Sequence, residues 1–89
     1  MTMEEACNVL RVDKGTNDDL ISGLLKAIPP YIELKTGMTE KAQEAEPMAQ
    51  TVTGFILQLW YFADTADDKA LTRTIDALLA AITLKARQD

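Results

Sequence analysis

The chain has 89 residues and a net charge of −5, with nine Lys and Arg against fourteen Asp and Glu. That length sets one small domain with one core, and that charge, with no basic run to offset it, excludes a protein that grips the phosphate backbone of nucleic acid. There is no histidine and only one cysteine, so a Ser/His/Asp or Cys/His nucleophile and an internal disulfide are also excluded.

The apolar residues are mostly Leu, Ile and Ala, aromatics are few, and only three prolines and four glycines interrupt them. This predicts an all-α chain, a compact bundle of about four helices over residues 1–89. Surface scaling gives about 5,200 Å² exposed when folded, against about 14,000 Å² for the extended chain. The first helix is short, about Met3 to Leu10, and Thr2 and Glu5 have capping-box spacing. Its start, Met1-Thr2-Met3-Glu4-Glu5, is acidic where a signal peptide is basic. With no apolar run near the ~20 residues of a membrane span, a soluble protein with no membrane partner is expected.

The second helix opens at Asn17 or Asp18 and stops before Gly37, a good C′ residue. Leu20, Leu24, Ile28 and Tyr31 form one apolar row and Ile21, Leu25 and Ile32 a second, which suits a helix packed on two sides. Pro29-Pro30 interrupts it. Either the helix continues across a kink, or it ends near Ala27 and restarts with proline in its first turn. The continuity of the stripe through Tyr31 and Ile32 favours the kink. Residues Met38 to Glu46 are polar and weakly patterned, compatible with a loop or a frayed helical turn, and read as the main loop. The third helix runs from Pro47 to about Phe62, with Met48, Val52, Phe55, Ile56, Leu59 and Phe62 on one face. Residues 64–68 read as a turn and cap. The fourth helix runs from about Lys69 to Ala86 on Leu71, Ile75, Leu78, Leu79 and Ile82, with Ala77, Ala80, Ala81 and Leu84 on its other side.

Chemistry finds little footing. Cys7 reads as a packing residue and the only serine, Ser22, has no base beside it. Asp13, Asn17, Asp18 and Asp19 lack the ligand spacing of a calcium loop and read as helix caps. Glu40, Glu44 and Glu46 read as a solvated face, and the glycines form no phosphate loop. No cofactor and no metal are expected. Trp60-Tyr61-Phe62 is more informative, because three consecutive helical residues point in three directions. Phe62 belongs to the core. Leu57 and Tyr61, beside Gly54, point away from it and predict a second buried surface, read as an interface with a neighbouring subunit.

The order of signals from Cys7 to Gly37 carries a resemblance. Leu10-Arg11-Val12-Asp13, Asp18-Asp19-Leu20-Ile21, Leu24-Leu25, Tyr31-Ile32-Glu33 and Thr36-Gly37 resemble the N-terminal half of the small head–tail connector proteins of tailed bacteriophages and prophages, also described as DNA-packaging or head-completion proteins. The second half is similar in outline: Pro47 opens a helix ending in Leu59-Trp60-Tyr61, then an acidic loop and a last helix. Pro29-Pro30 departs from the family, as do Phe62 and Ala63 where an arginine often stands. The resemblance implies a structural virion protein and not an enzyme. It implies an all-helical subunit of a homo-oligomeric ring of about a dozen copies under the portal protein, extending the DNA channel and seating tail or stopper proteins. Its place would be the head–tail junction of the virion, with assembly in the bacterial host cytoplasm. In that setting Leu57, Tyr61 and Gly54 are expected between subunits, and Leu84, Lys85 and Arg87 at the portal. A small bacterial helical interaction or regulatory module without catalysis is the alternative.

Overall fold

A computed structural model describes residues 1–63 and 69–88. They form five helices: α1 (Met3–Leu10), α2 (Asp18–Thr36), α3 (Glu40–Glu44), α4 (Pro47–Tyr61) and α5 (Lys69–Ala86). The fold is all-α, as composition and periodicity predict. The turn expected at residues 64–68 lies outside the described residues.

Each helix starts and stops for a local reason. Thr2 and Glu5 make the reciprocal capping box at the head of α1, and Arg11 ends that helix in the left-handed conformation at φ 58°. Gly37 closes α2 at φ 82°, where a side chain would be strained, and its N–H donates to the Glu33 carbonyl. Asn17 is the N-cap of α2, but its side chain does not cap. The Asp18 carboxylate instead accepts the Gly15 N–H at 2.8 Å. Asp18, the first residue of α2, thus ties the preceding turn to the helix as well as suiting its dipole.

The second helix is unbroken across Pro29-Pro30, so restarting after Ala27 is ruled out. The two prolines have no N–H to give the carbonyls of Leu25 and Lys26, a disruption worth ~3 kcal/mol or more in a helix interior. Complete burial of Ile21, Ile28 and Ile32 spans the break and offsets it, at roughly 1.5–3 kcal/mol per side chain. A second support comes from the segment expected to be a loop. Residues 38–46 contain α3, capped by Thr39, whose hydroxyl accepts the Ala42 N–H. From α3 the buried Gln43 amide donates to the carbonyls of Pro29 and Met38, each at 3.0 Å.

The core sits between α2, α4 and α5. Asn17 at the head of α2 meets Tyr61 at the end of α4, and Lys85 at the end of α5 meets Glu46 at the head of α4. α4 therefore runs antiparallel to both. Val52, Ile56, Ile75, Leu79 and Ile82 fill the space between them. Phe62, expected in the core, is an exposed C-cap residue whose ring meets that of Tyr61 edge-to-face. The helix ends at Tyr61, so Phe62 leaves the periodicity that would have carried it inward. The folded surface is 5813 Å², above the scaling value of about 5,200 Å², as suits a body of 41 × 27 × 18 Å.

Candidate functional site

The face of α4 assigned to a neighbouring subunit is covered by the chain itself. Leu57 is fully buried. A Cβ built on Gly54 would lie 3.8 Å from Met1 and 3.9 Å from Val9, so α1 packs over this face. Tyr61 is half-buried, and its hydroxyl receives the Asn17 side-chain N–H at 2.6 Å. At Leu57 and Gly54 the second surface expected between subunits is occupied by the N-terminal segment of the same chain. Ala6, Cys7 and Leu10 turn inward from α1, and this short helix supplies what a partner was invoked to supply. Cys7 is buried as a packing residue.

The residues expected at the portal divide. Leu84 is 62% exposed, and Arg87 is exposed beyond the last turn of α5. Lys85 is held by Glu46, whose carboxylate also accepts the Met48 N–H at 2.9 Å. The Lys85 contact, then the Met48 N–H, hold the Glu46 carboxyl below its ordinary value. Glu46 was expected on a solvated face and is buried instead; Glu40 and Glu44 do lie in the open.

Among the described residues, two of the exposed large apolar side chains, Leu20 and Leu34, lie on α2. Sequence periodicity gave this helix two packed sides, but only the row of Ile21, Ile28 and Ile32 is buried. Leu20 is 54% and Leu34 84% exposed. Leu20, Ala27 and Leu34 recur every seven residues and fall within about 40° of one another on the helix. Gly23, Leu24, Pro30 and Tyr31 widen the strip to about 120° with no charged side chain inside it. Gly23, Ala27 and Pro30 are exposed, Leu24 and Tyr31 half-buried. The Tyr31 ring meets Trp60 edge-to-face at 5.2 Å, with the Lys35 ammonium 5.7 Å from its centre. Leu34 did not enter the sequence reading, although its heptad spacing from Leu20 through Ala27 was visible there.

A cleft of about 180 Å³ lies where α2, α3 and α4 meet, lined by Leu25, Pro29, Glu40, Gln43, Gln50 and Thr53 among others. Its amides are engaged in structure: Gln43 braces α2 and Gln50 donates to the Gln43 carbonyl at 2.9 Å. Among the described residues no group of three acidic or cysteine side chains is placed to hold a metal ion, and no helix is long and apolar enough to cross a membrane. No known protein family, curated protein or solved structure matches this chain.

Proposed function

We propose that this chain is a structural subunit of a phage head–tail connector, joining its own copies in a ring on a portal protein and acting by assembly, not by catalysis. The ordered signals from Leu10 to Gly37 suggest the family, and the all-helical fold accords with it. The observation that carries an assembly role is the outer side of α2. A long uncharged strip bearing two exposed leucines is costly in water and is the kind of surface that marks a protein contact. Cys7 is buried in the core and Ser22 is half-buried within α2.

In this reading the lateral contact no longer uses Leu57 and Gly54, which lie inside the subunit. Leu84 and Arg87 stay available for the portal, while Lys85 is engaged at Glu46. The net charge of −5 suits a channel that lets DNA slide without gripping it. Native mass spectrometry and cryo-electron microscopy of the chain mixed with a phage portal protein from the same genome test the proposal. A closed ring seated on the portal is expected. Failure to bind that portal, or a small oligomer that never closes on it, would overturn the connector and favour a helical interaction module with another partner.

A further inference from the structure

We infer that α2 is a self-association surface on which a second copy of this chain docks as an antiparallel, two-fold pair. The inference concerns the isolated chain and does not depend on the connector reading. Three features of the outer strip point to a copy of itself.

The first is shape. Gly23 sits in the middle of a helix, where glycine weakens the structure relative to alanine. Among the described residues nothing lies within 4 Å of a Cβ built there, so none of them accounts for it. Leu34, eleven residues on, is 84% exposed and has the bulk that Gly23 lacks. When two α2 helices run antiparallel, Leu34 of one copy settles over the partner's Gly23. The two-fold axis repeats the contact at the other end, and between the two Ala27 meets the partner's Pro30. Such a small-residue centre lets helix backbones approach closely.

The second is charge. Lys26 and Glu33 flank the strip on the same side, about 20° apart and seven residues from each other, and one Glu33 oxygen also accepts the Glu40 N–H at 3.2 Å. In the register that seats Leu34 on the partner's Gly23, Lys26 falls within about two residues of the level of the partner's Glu33. The pair occurs twice by symmetry, both times on the same flank. The opposite flank brings Leu24 beside the partner's Tyr31, and both are half-buried already. An isologous contact requires such self-complementarity within one patch.

The third is size. Leu20 to Leu34 spans about 21 Å of helix. A strip of that length and one helix width buries about 500–800 Å² in total, below the ~1,200 Å² of stable complexes. The dimer is therefore weak, with a dissociation constant between about ten micromolar and one millimolar. In a connector, such a pair would cover the apolar strip until a template opens it.

Sedimentation velocity on the full chain, from about ten micromolar to one millimolar, tests the inference. A concentration-dependent monomer–dimer equilibrium is expected. Leu34→Lys should weaken it tenfold or more while leaving the helical circular dichroism and melting temperature unchanged, because Leu34 contributes little to its own core. Lys26→Glu and Glu33→Lys should each weaken it, and the double charge swap should restore it. A monomer at every concentration, or a dimer indifferent to Leu34→Lys, would sink the proposal. Weakening by both single swaps without recovery in the double would overturn the antiparallel register.

Discussion

α4 and α2 each carry apolar residues on two sides, and the two second faces meet opposite fates. Beside Gly54, the face of α4 that bears Leu57 is roofed by α1. The outer face of α2 that bears Leu20 and Leu34 has no such cover among the described residues. Each face carries glycine, leucine and tyrosine. What differs is whether a short amphipathic segment elsewhere in the chain is left over to lie across them. In a domain this small the number of spare helices, not hydrophobicity, decides which apolar face is covered and which is left open.

The largest effect should come from trading one leucine for another. Leu57→Ala is expected to cost about 2–5 kcal/mol in urea unfolding, as a fully buried side chain leaves a cavity. Leu34→Ala should stay within about 0.5 kcal/mol. Similar losses at both positions would erase the distinction between the two faces. Next, Gln43→Ala removes the amide that serves the carbonyls of Pro29 and Met38. The cost should be about 1–3 kcal/mol by the same measurement, because buried acceptors lose their partner.

A smaller effect, of opposite sign, sharpens the α2 side. Gly23→Ala should raise monomer stability by about 0.5–1 kcal/mol in dilute thermal melts, since the added Cβ enters open space. A loss of stability there would mean that the outer face is already covered. The smallest concerns the clasp between α4 and α5. Glu46 titrates below its ordinary 4.5 in the folded chain. Its contribution is therefore complete above about pH 4.5 and fades as the pH falls through the lowered folded value. Lys85 is 54% exposed, so solvent screens the pair and the effect is slight. Melting curves of Glu46→Gln against the parent chain should converge as the pH drops from 6 to 3, and a gap that persists at the acid end would assign the role of Glu46 to packing.

Much of the fold was legible in local signals. Thr2 and Glu5 announced α1, Gly37 ended α2, and Pro47 opened α4, because caps and stops depend on neighbours within a few residues. The buried row on α5 followed from the helical period, as did Val52 and Ile56 on α4, whereas on α2 the buried Ile21, Ile28 and Ile32 draw on both expected rows. What the sequence hid was long-range. Gln43 looked like one polar residue in a polar loop, and only the fold brings it to Pro29, fourteen residues away. Glu46 looked solvated until Lys85 arrived from the far end of the chain. The interface assigned to Leu57 went astray for the same reason, since periodicity reveals that a face is apolar but not which segment covers it. Leu34 was missed because it belongs to the side of α2 that the core does not use.

The Gln43 brace gives Pro29-Pro30 a mechanical meaning. In an ordinary helix, a pull on the following segment is felt first at the last turn, which frays. Here α3 is fastened through Gln43 to Pro29, near the midpoint of α2, as well as to Met38 just past its end. Force or disorder entering through residues 38–46 therefore reaches the middle of α2 directly, at the place where two backbone bonds are already missing. The chain would respond to strain by bending at Pro29-Pro30 and swinging Leu34 relative to Leu20. Such bending would change the straightness of the outer strip of α2 without any change of sequence.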